Sequence, residues 1–152
     1  MNFKNLLTLL LTVPFIIACN NEDDINAIFC SGTWQLNNFY ITSQWNKQNI
    51  TDSRLQYENM NEKDLAEVQS FSIKFSEDGS FTAIANNSNI QGTWSADGKS
   101  RKVSVSYTGQ PSGTTWAKRY FEALKNAKYY KGTNGFLQLA PQETNSFIQF
   151  KH

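Results

Sequence analysis

The chain has 152 residues, with 14 basic and 13 acidic side chains, and 14% of it is aromatic; that length points to one domain. A near-neutral balance lacks the basic footprint that nucleic acid requires, and it argues equally against electrostatic docking on anionic lipid. Two cysteines and one histidine leave little material for metal or nucleophile chemistry.

After a short start carrying Lys4, an apolar run extends from Leu6 to Ile17 and contains one proline, Pro14. This suits the hydrophobic region of a signal peptide and is too short to span a bilayer. The run ends in Ile16-Ile17-Ala18-Cys19, which resembles the lipobox of bacterial lipoproteins: an aliphatic residue three before the cysteine and a small residue directly before it. The resemblance implies a signal peptide over residues 1–18, cleavage before Cys19, and acylation of the Cys19 thiol by palmitate or a related chain. Two or three acyl chains then hold the protein in a membrane, each buried methylene contributing about 0.8 kcal/mol. An ordinary secretory signal and a short anchor helix are the alternatives. Removal of Lys4 with the leader leaves equal numbers of basic and acidic residues.

Asn20-Asn21-Glu22-Asp23-Asp24-Ile25-Asn26 follows, polar and without regular periodicity, so residues 19–30 read as the lipidated cysteine with a flexible acidic tether. The acids resemble the export tag of surface lipoproteins in Bacteroidetes-type bacteria; the other reading is a solvated spacer. Together these signals imply an outer-membrane, lipid-anchored protein facing either the periplasm or the cell surface. Cys30 is then the one remaining cysteine, so no intramolecular disulfide is available. It reads as a small core residue, with a reactive thiol or intermolecular pairing as alternatives.

Residues 31–152 read as the folded domain. Trp34, Leu36 and Tyr40 fall at even spacing, with Asn38 interrupting the apolar face. Trp45 stands in a polar loop before Asn46-Lys47-Gln48-Asn49 and is the aromatic least obviously assigned to a core. Between Thr51 and Gln69 a short helix from Asn61 to Gln69 is expected. Phe71, Ile73 and Phe75 alternate with Ser72, Lys74 and Ser76, a period of two with one buried face. Glu77-Asp78-Gly79-Ser80 supplies a hairpin turn; Phe81, Ala83 and Ala85 return. Asn86 to Asn89 turn again into Ile90, Gly92 and Trp94. Asp97-Gly98 then leads to Val103, Val105 and Tyr107. Thr114 or Thr115 caps a helix in which Trp116, Tyr120, Phe121, Leu124 and Ala127 share one face and Lys118, Arg119, Glu122 and Lys125 the other. Strands resume at Tyr129-Tyr130, Phe136 to Leu139 and Phe147 to Phe150, with a turn over residues 141–145.

The fold expected is mainly β: a small antiparallel barrel or coiled meander of about eight strands with one inserted amphipathic helix. The region from Phe71 to Phe150 resembles the META domain of bacterial envelope proteins. The shared order is the strand ending at Phe75, the Asp78-Gly79 turn, Gly92-Thr93-Trp94, the Asp97-Gly98 turn, the helix with Phe121 and Leu124, and the closing Leu137-x-Leu139 to Phe150 hairpin. Gly32-Thr33-Trp34-Gln35-Leu36 is similar to the first strand of that family and also to the Gly-x-Trp opening of lipocalin-like domains. Ala85 to Asn89 stands where META domains carry Gly-Gly-Cys-Asn, so a lipocalin-like relative is an equal alternative. Neither resemblance implies catalytic residues.

No Gly-x-Ser-x-Gly, His-Glu-x-x-His or phosphate-loop pattern occurs, no metal or cofactor is implied, and His152 is the single histidine. Glu77/Asp78 reads as turn chemistry and Glu62/Asp64 as a solvated face, neither as an acid/base pair. The expectation is a non-catalytic lipoprotein, membrane-bound through its anchor, presenting its domain to a protein or glycan partner. Trp45 is the candidate contact if exposed. The alternative is a lipocalin-like carrier of a small apolar ligand. Trp34, Phe71, Phe75, Phe81, Trp94, Tyr107, Phe136 and Phe150 are all expected to point inward and leave that ligand little room.

Overall fold

The computed structural model describes residues 22–141 and 145–152. The signal-peptide and Cys19 readings lie outside the described residues, as does most of the expected turn over residues 141–145. Among the described residues nine strands form one antiparallel sheet: β1 Thr33–Ile41, β2 Arg54–Leu55, β3 Ser72–Phe75, β4 Ser80–Ala85, β5 Ser88–Asp97, β6 Lys102–Tyr107, β7 Tyr129–Gly132, β8 Phe136–Ala140 and β9 Ser146–Lys151. Three helices of the described residues accompany it: α1 Ile25–Phe29, α2 Glu62–Gln69 and α3 Thr115–Asn126. The order is β2-β1-β3-β4-β5-β6-β7-β8-β9, and β1 also pairs with β9, so the sheet closes into a ring. The expected β meander with its inserted helix is thus present. The count exceeds expectation by the two-residue β2, too short to show periodicity.

Strand β1 closes the ring by dividing its pairing. Residues Thr33 to Gln35 pair with β3, while Gln35 to Ile41 pair with β9. The register shifts between Leu36 and Asn38, and the buried Asn38 carboxamide accepts a hydrogen bond from the Phe39 amide at 2.8 Å. A bulge of this kind inserts a residue and re-aims the side chains beyond it. Phe39 therefore turns into the core and Tyr40 turns out, stacking on Phe147 with ring centroids 5.3 Å apart. Even spacing had placed Tyr40 on the face of Trp34; the bulge corrects that.

The ring is weakest between β6 and β7, which share one register pair, Lys102 with Tyr129. Helix α3 packs against β6 and β8 there and buries Ala117, Tyr120, Phe121 and Leu124. Thr114 caps it, its hydroxyl accepting from the Ala117 amide at 3.2 Å; an N-cap of this type contributes about 1 kcal/mol. Inside the ring, Trp34, Ile73, Phe75, Phe81, Leu137 and Phe150 are essentially inaccessible to solvent. They pack with the helix residues into one core, each large side chain contributing about 1.5–3 kcal/mol on burial. Gly92 makes this packing possible, because a Cβ there would lie 2.7 Å from the Phe81 ring. Two residues expected inside are not: Phe136 is 37% exposed at the start of β8, and Tyr107 is half-buried with its hydroxyl donating to the Phe121 carbonyl at 2.9 Å.

The described part of the supposed tether belongs to the fold. Ile28 and Phe29 of α1 are buried. The Phe29 ring stacks on Trp94 at 4.9 Å and meets Phe75 and Tyr130 edge-on at 5.1 and 5.0 Å. The Trp34 indole N–H donates to the Phe29 carbonyl at 3.0 Å. Asp24 caps α1 through the Ala27 amide, and the Asp23 amide donates to the Gly98 carbonyl at 3.2 Å. The Asp23 carboxylate accepts from the Tyr130 hydroxyl at 2.9 Å and lies 3.3 Å from Arg101. Acidic composition suggested a solvated tether; the apolar residues just beyond the acids close one mouth of the ring instead.

Candidate functional site

Each residue singled out from sequence within the described range has a structural role. Trp45 is 6% exposed. Its indole packs against Phe147 and Ala140 on the outer side of the ring, with the Lys131 ammonium 5.0 Å above it. It leaves only an edge to a shallow groove. Cys30 is half-buried beside the core; burial pushes its thiol up, with Glu77 and Asp78 adding to the effect. That keeps the sulfur protonated rather than reactive.

The carboxylate pairs serve the backbone. Asp78 accepts from the Ser80 hydroxyl at 2.6 Å and the Ser80 amide at 2.9 Å, which holds its carboxyl below the usual range. Asp64 completes a capping box with Asn61 at the start of α2. His152 stacks on Trp34 with centroids 3.8 Å apart, its Nε2 lies 2.9 Å from the Ser31 hydroxyl and its Nδ1 3.1 Å from the Thr33 carbonyl. This serine–histidine contact is not a primed nucleophile, because the Ser31 hydroxyl donates to the Ile28 carbonyl at 2.9 Å. It fastens the end of β9 to the α1 turn. Among the described residues no cluster of three metal-ligating side chains occurs, and no helix is long and apolar enough to cross a membrane.

The other mouth of the ring carries a different arrangement. Trp116 and Arg119 lie one turn apart on α3, and Tyr57 comes from the segment between β2 and α2. That segment is pinned by the Tyr40–Leu55 pair and by the Gln56 amide donating to the Phe39 carbonyl at 2.9 Å. The Arg119 guanidinium sits 4.2 Å from the Tyr57 ring and 4.7 Å from the Trp116 ring. Those two rings meet edge-on at 5.2 Å, and Tyr57 meets Phe39 at 5.6 Å. The bulge in β1 is what turns Phe39 toward this cluster.

Two grooves adjoin at Tyr57 and Arg119. One, of about 280 Å³, carries Glu122, Asn126 and Ser146; the other, of about 450 Å³, carries Glu58, Asn59 and Trp116; Gln56 borders both. Among the described residues, Arg119 has no carboxylate within ion-pair distance, and the ion pair present is that of Arg101 with Asp23. A guanidinium fixed by two rings with its N–H edge free is a preorganised donor. Sequence reading assigned Trp116 to the core and Arg119 to solvent. The signal available was their spacing of three on one helix, which sets them side by side.

Fold and cleft together define a closed antiparallel β domain, covered by α1 at one mouth and by α3 at the other, where α3 carries an aromatic–arginine cleft. The chain belongs to the DUF4847 family, a domain of unknown function whose model matches residues 20–152. It is 37% identical to a DUF4847 family protein from Bacteroides vulgatus ATCC 8482 known from a crystal structure, over 84% of this chain and 96% of that one, with a TM-score of 0.73. A protein from Burkholderia xenovorans with an NMR structure is 14% identical over 81% of this chain and 82% of that one, with a TM-score of 0.47. No curated protein matches the chain.

Proposed function

We propose that the protein is a non-catalytic lipoprotein of the bacterial cell envelope that binds a protein or glycan partner on the outside of its β domain. The observation that carries this reading is the contrast between a ring filled by Trp34, Phe75, Phe81 and Phe150 and an open cleft around Tyr57, Arg119 and Trp116. Small-molecule sites are concave and combine apolar walls with a few placed polar groups; the cleft has that form. A lipocalin-like carrier needs space inside the ring, where those aromatic side chains stand. The META and lipocalin-like resemblance of Phe71 to Phe150 carries no catalytic assignment, which agrees with a binding role. Attachment to the outer membrane, facing the periplasm or the cell surface, rests on Ile16-Ile17-Ala18-Cys19 and on the bacterial source of the 37% identical relative.

Two measurements test the two halves. Cys19→Ser should accumulate as uncut precursor and fail to take up radioactive palmitate in the native host; normal processing and labelling would sink the anchor. Native mass spectrometry of the protein purified from that host should give an apo mass. An apolar small molecule released on unfolding would favour the carrier.

A further inference from the structure

We propose that the cleft around Tyr57, Arg119 and Trp116 binds a neutral oligosaccharide chain. This rests on the binding-domain reading above and gives it a ligand class. Two groups of polar side chains among the described residues differ in how they are engaged. Asp24, Asn61, Asp64, Asp78 and Asp97 are engaged in caps and turns, each accepting a backbone amide at 2.8–3.3 Å. Around the cleft, Gln56, Glu58, Asn59, Glu122 and Asn126 border the two grooves. Among the described residues, none of those five side chains forms a hydrogen bond within the chain.

Their chemistry selects the ligand. Planar amides, carboxylates and a guanidinium can each bridge two neighbouring hydroxyls, and a sugar hydroxyl both donates and accepts. An apolar peptide would bury these groups without partners, costing about 1–3 kcal/mol for each. A polyanion meets Glu58 and Glu122 as well as Arg119, so repulsion offsets the attraction. A neutral polyol meets neither objection. The half-buried rings of Tyr57 and Trp116 add flat apolar surface of the kind that packs against the C–H face of a pyranose. Because Gln56, Tyr57 and Arg119 line both grooves, a linear chain can place one unit in each. Arg119 is already held between its rings, so little ordering is left to oppose binding.

The test is calorimetric titration of the full-length protein in a polyoxyethylene detergent, which carries no sugar headgroup. The probes are maltohexaose, cellohexaose, xylohexaose and mannohexaose, each added separately at millimolar concentration. At least one should bind, and Arg119→Ala should weaken it about tenfold or more, as expected for a central contact. Arg119→Lys should weaken it too, because the charge is kept and the planar fork is lost. Trp116→Ala should do the same, and circular dichroism on the arginine variants, whose side chain is partly exposed, separates lost binding from lost fold. Binding of none of the four probes, or unchanged affinity in the folded arginine variants, overturns the assignment. Palmitate labelling and the native mass are read independently of these titrations, so a failure here leaves the anchored binding-domain reading standing on its own tests.

Discussion

The two mouths of the ring are built from similar materials and put to opposite use. At one, Phe29 of α1 is inserted among Trp94, Phe75 and Tyr130, and Asp23 is tied to Gly98, Tyr130 and Arg101. Aromatic and charged groups there satisfy one another. At the other, Phe39, Tyr57 and Trp116 gather around Arg119, while the carboxylates and amides nearby face open grooves. The difference teaches where to look for function. A polar group already paired within the fold contributes stability, whereas one left facing solvent beside fixed rings is available to a partner.

The sharpest way to break this comparison is to empty the plugged mouth. Phe29→Ala removes a fully buried ring with three aromatic neighbours and should cost about 3–5 kcal/mol in denaturant unfolding. The same substitution at Trp116, which is only partly buried, should cost clearly less. Equal losses at the two positions would show that both mouths are structural and that the contrast has no functional meaning.

A smaller effect is expected from the tie between Tyr130 and Asp23. Tyr130→Phe removes a hydrogen bond to a carboxylate and should cost about 1.5 kcal/mol near neutral pH. Its pH dependence identifies the cause. Burial, and then the Asp23 carboxylate, push the Tyr130 phenol above its ordinary value of 10.0. A folded-state value raised above the unfolded one means that the stabilisation is complete below pH 10.0 and is lost as pH rises through the folded-state value. Stability of the unaltered protein should therefore fall more steeply above pH 10.0 than that of Tyr130→Phe. Parallel curves for the two would remove Tyr130 as the source.

These elements were unequally legible in the sequence. The alternation of Phe71, Ile73 and Phe75, the Asp78-Gly79 and Asp97-Gly98 turns and the amphipathic face of α3 each declare themselves over a short window, and β3 to β6 and α3 lie where that pattern puts them. Closure of the ring was one of two expected forms, and no short window could choose it over an open meander, because pairing of β1 with β9 joins residues more than a hundred positions apart. The bulge at Asn38 was visible only as a polar interruption, yet it decides that Phe39 and not Tyr40 reaches the core. Helix α1 was hidden by its acids: Glu22, Asp23 and Asp24 read as tether, while Ile28 and Phe29 are too few to show a period. The cleft was hidden for the same reason. Tyr57 stands in a polar stretch of low apolar content, and its partnership with Arg119 exists only once α3 is laid across the mouth.

The smallest expected change in stability comes from the residue given the largest part in binding. The Arg119 guanidinium rests on two partly exposed rings, contacts that contribute about 0.5–1 kcal/mol at such sites. Arg119→Lys keeps a cation over the rings and should shift unfolding by no more than about 0.5 kcal/mol, within the range of ordinary surface substitutions. If the cleft existed to hold α3 against the β2–α2 segment, the same substitution would loosen that contact, and amide exchange in residues 56–60 would speed up together with a larger loss of stability. Near-unchanged exchange alongside lost oligosaccharide binding would separate the two roles. It would place Arg119 opposite Phe29: one fixes the fold and touches no partner, the other touches the partner and hardly fixes the fold.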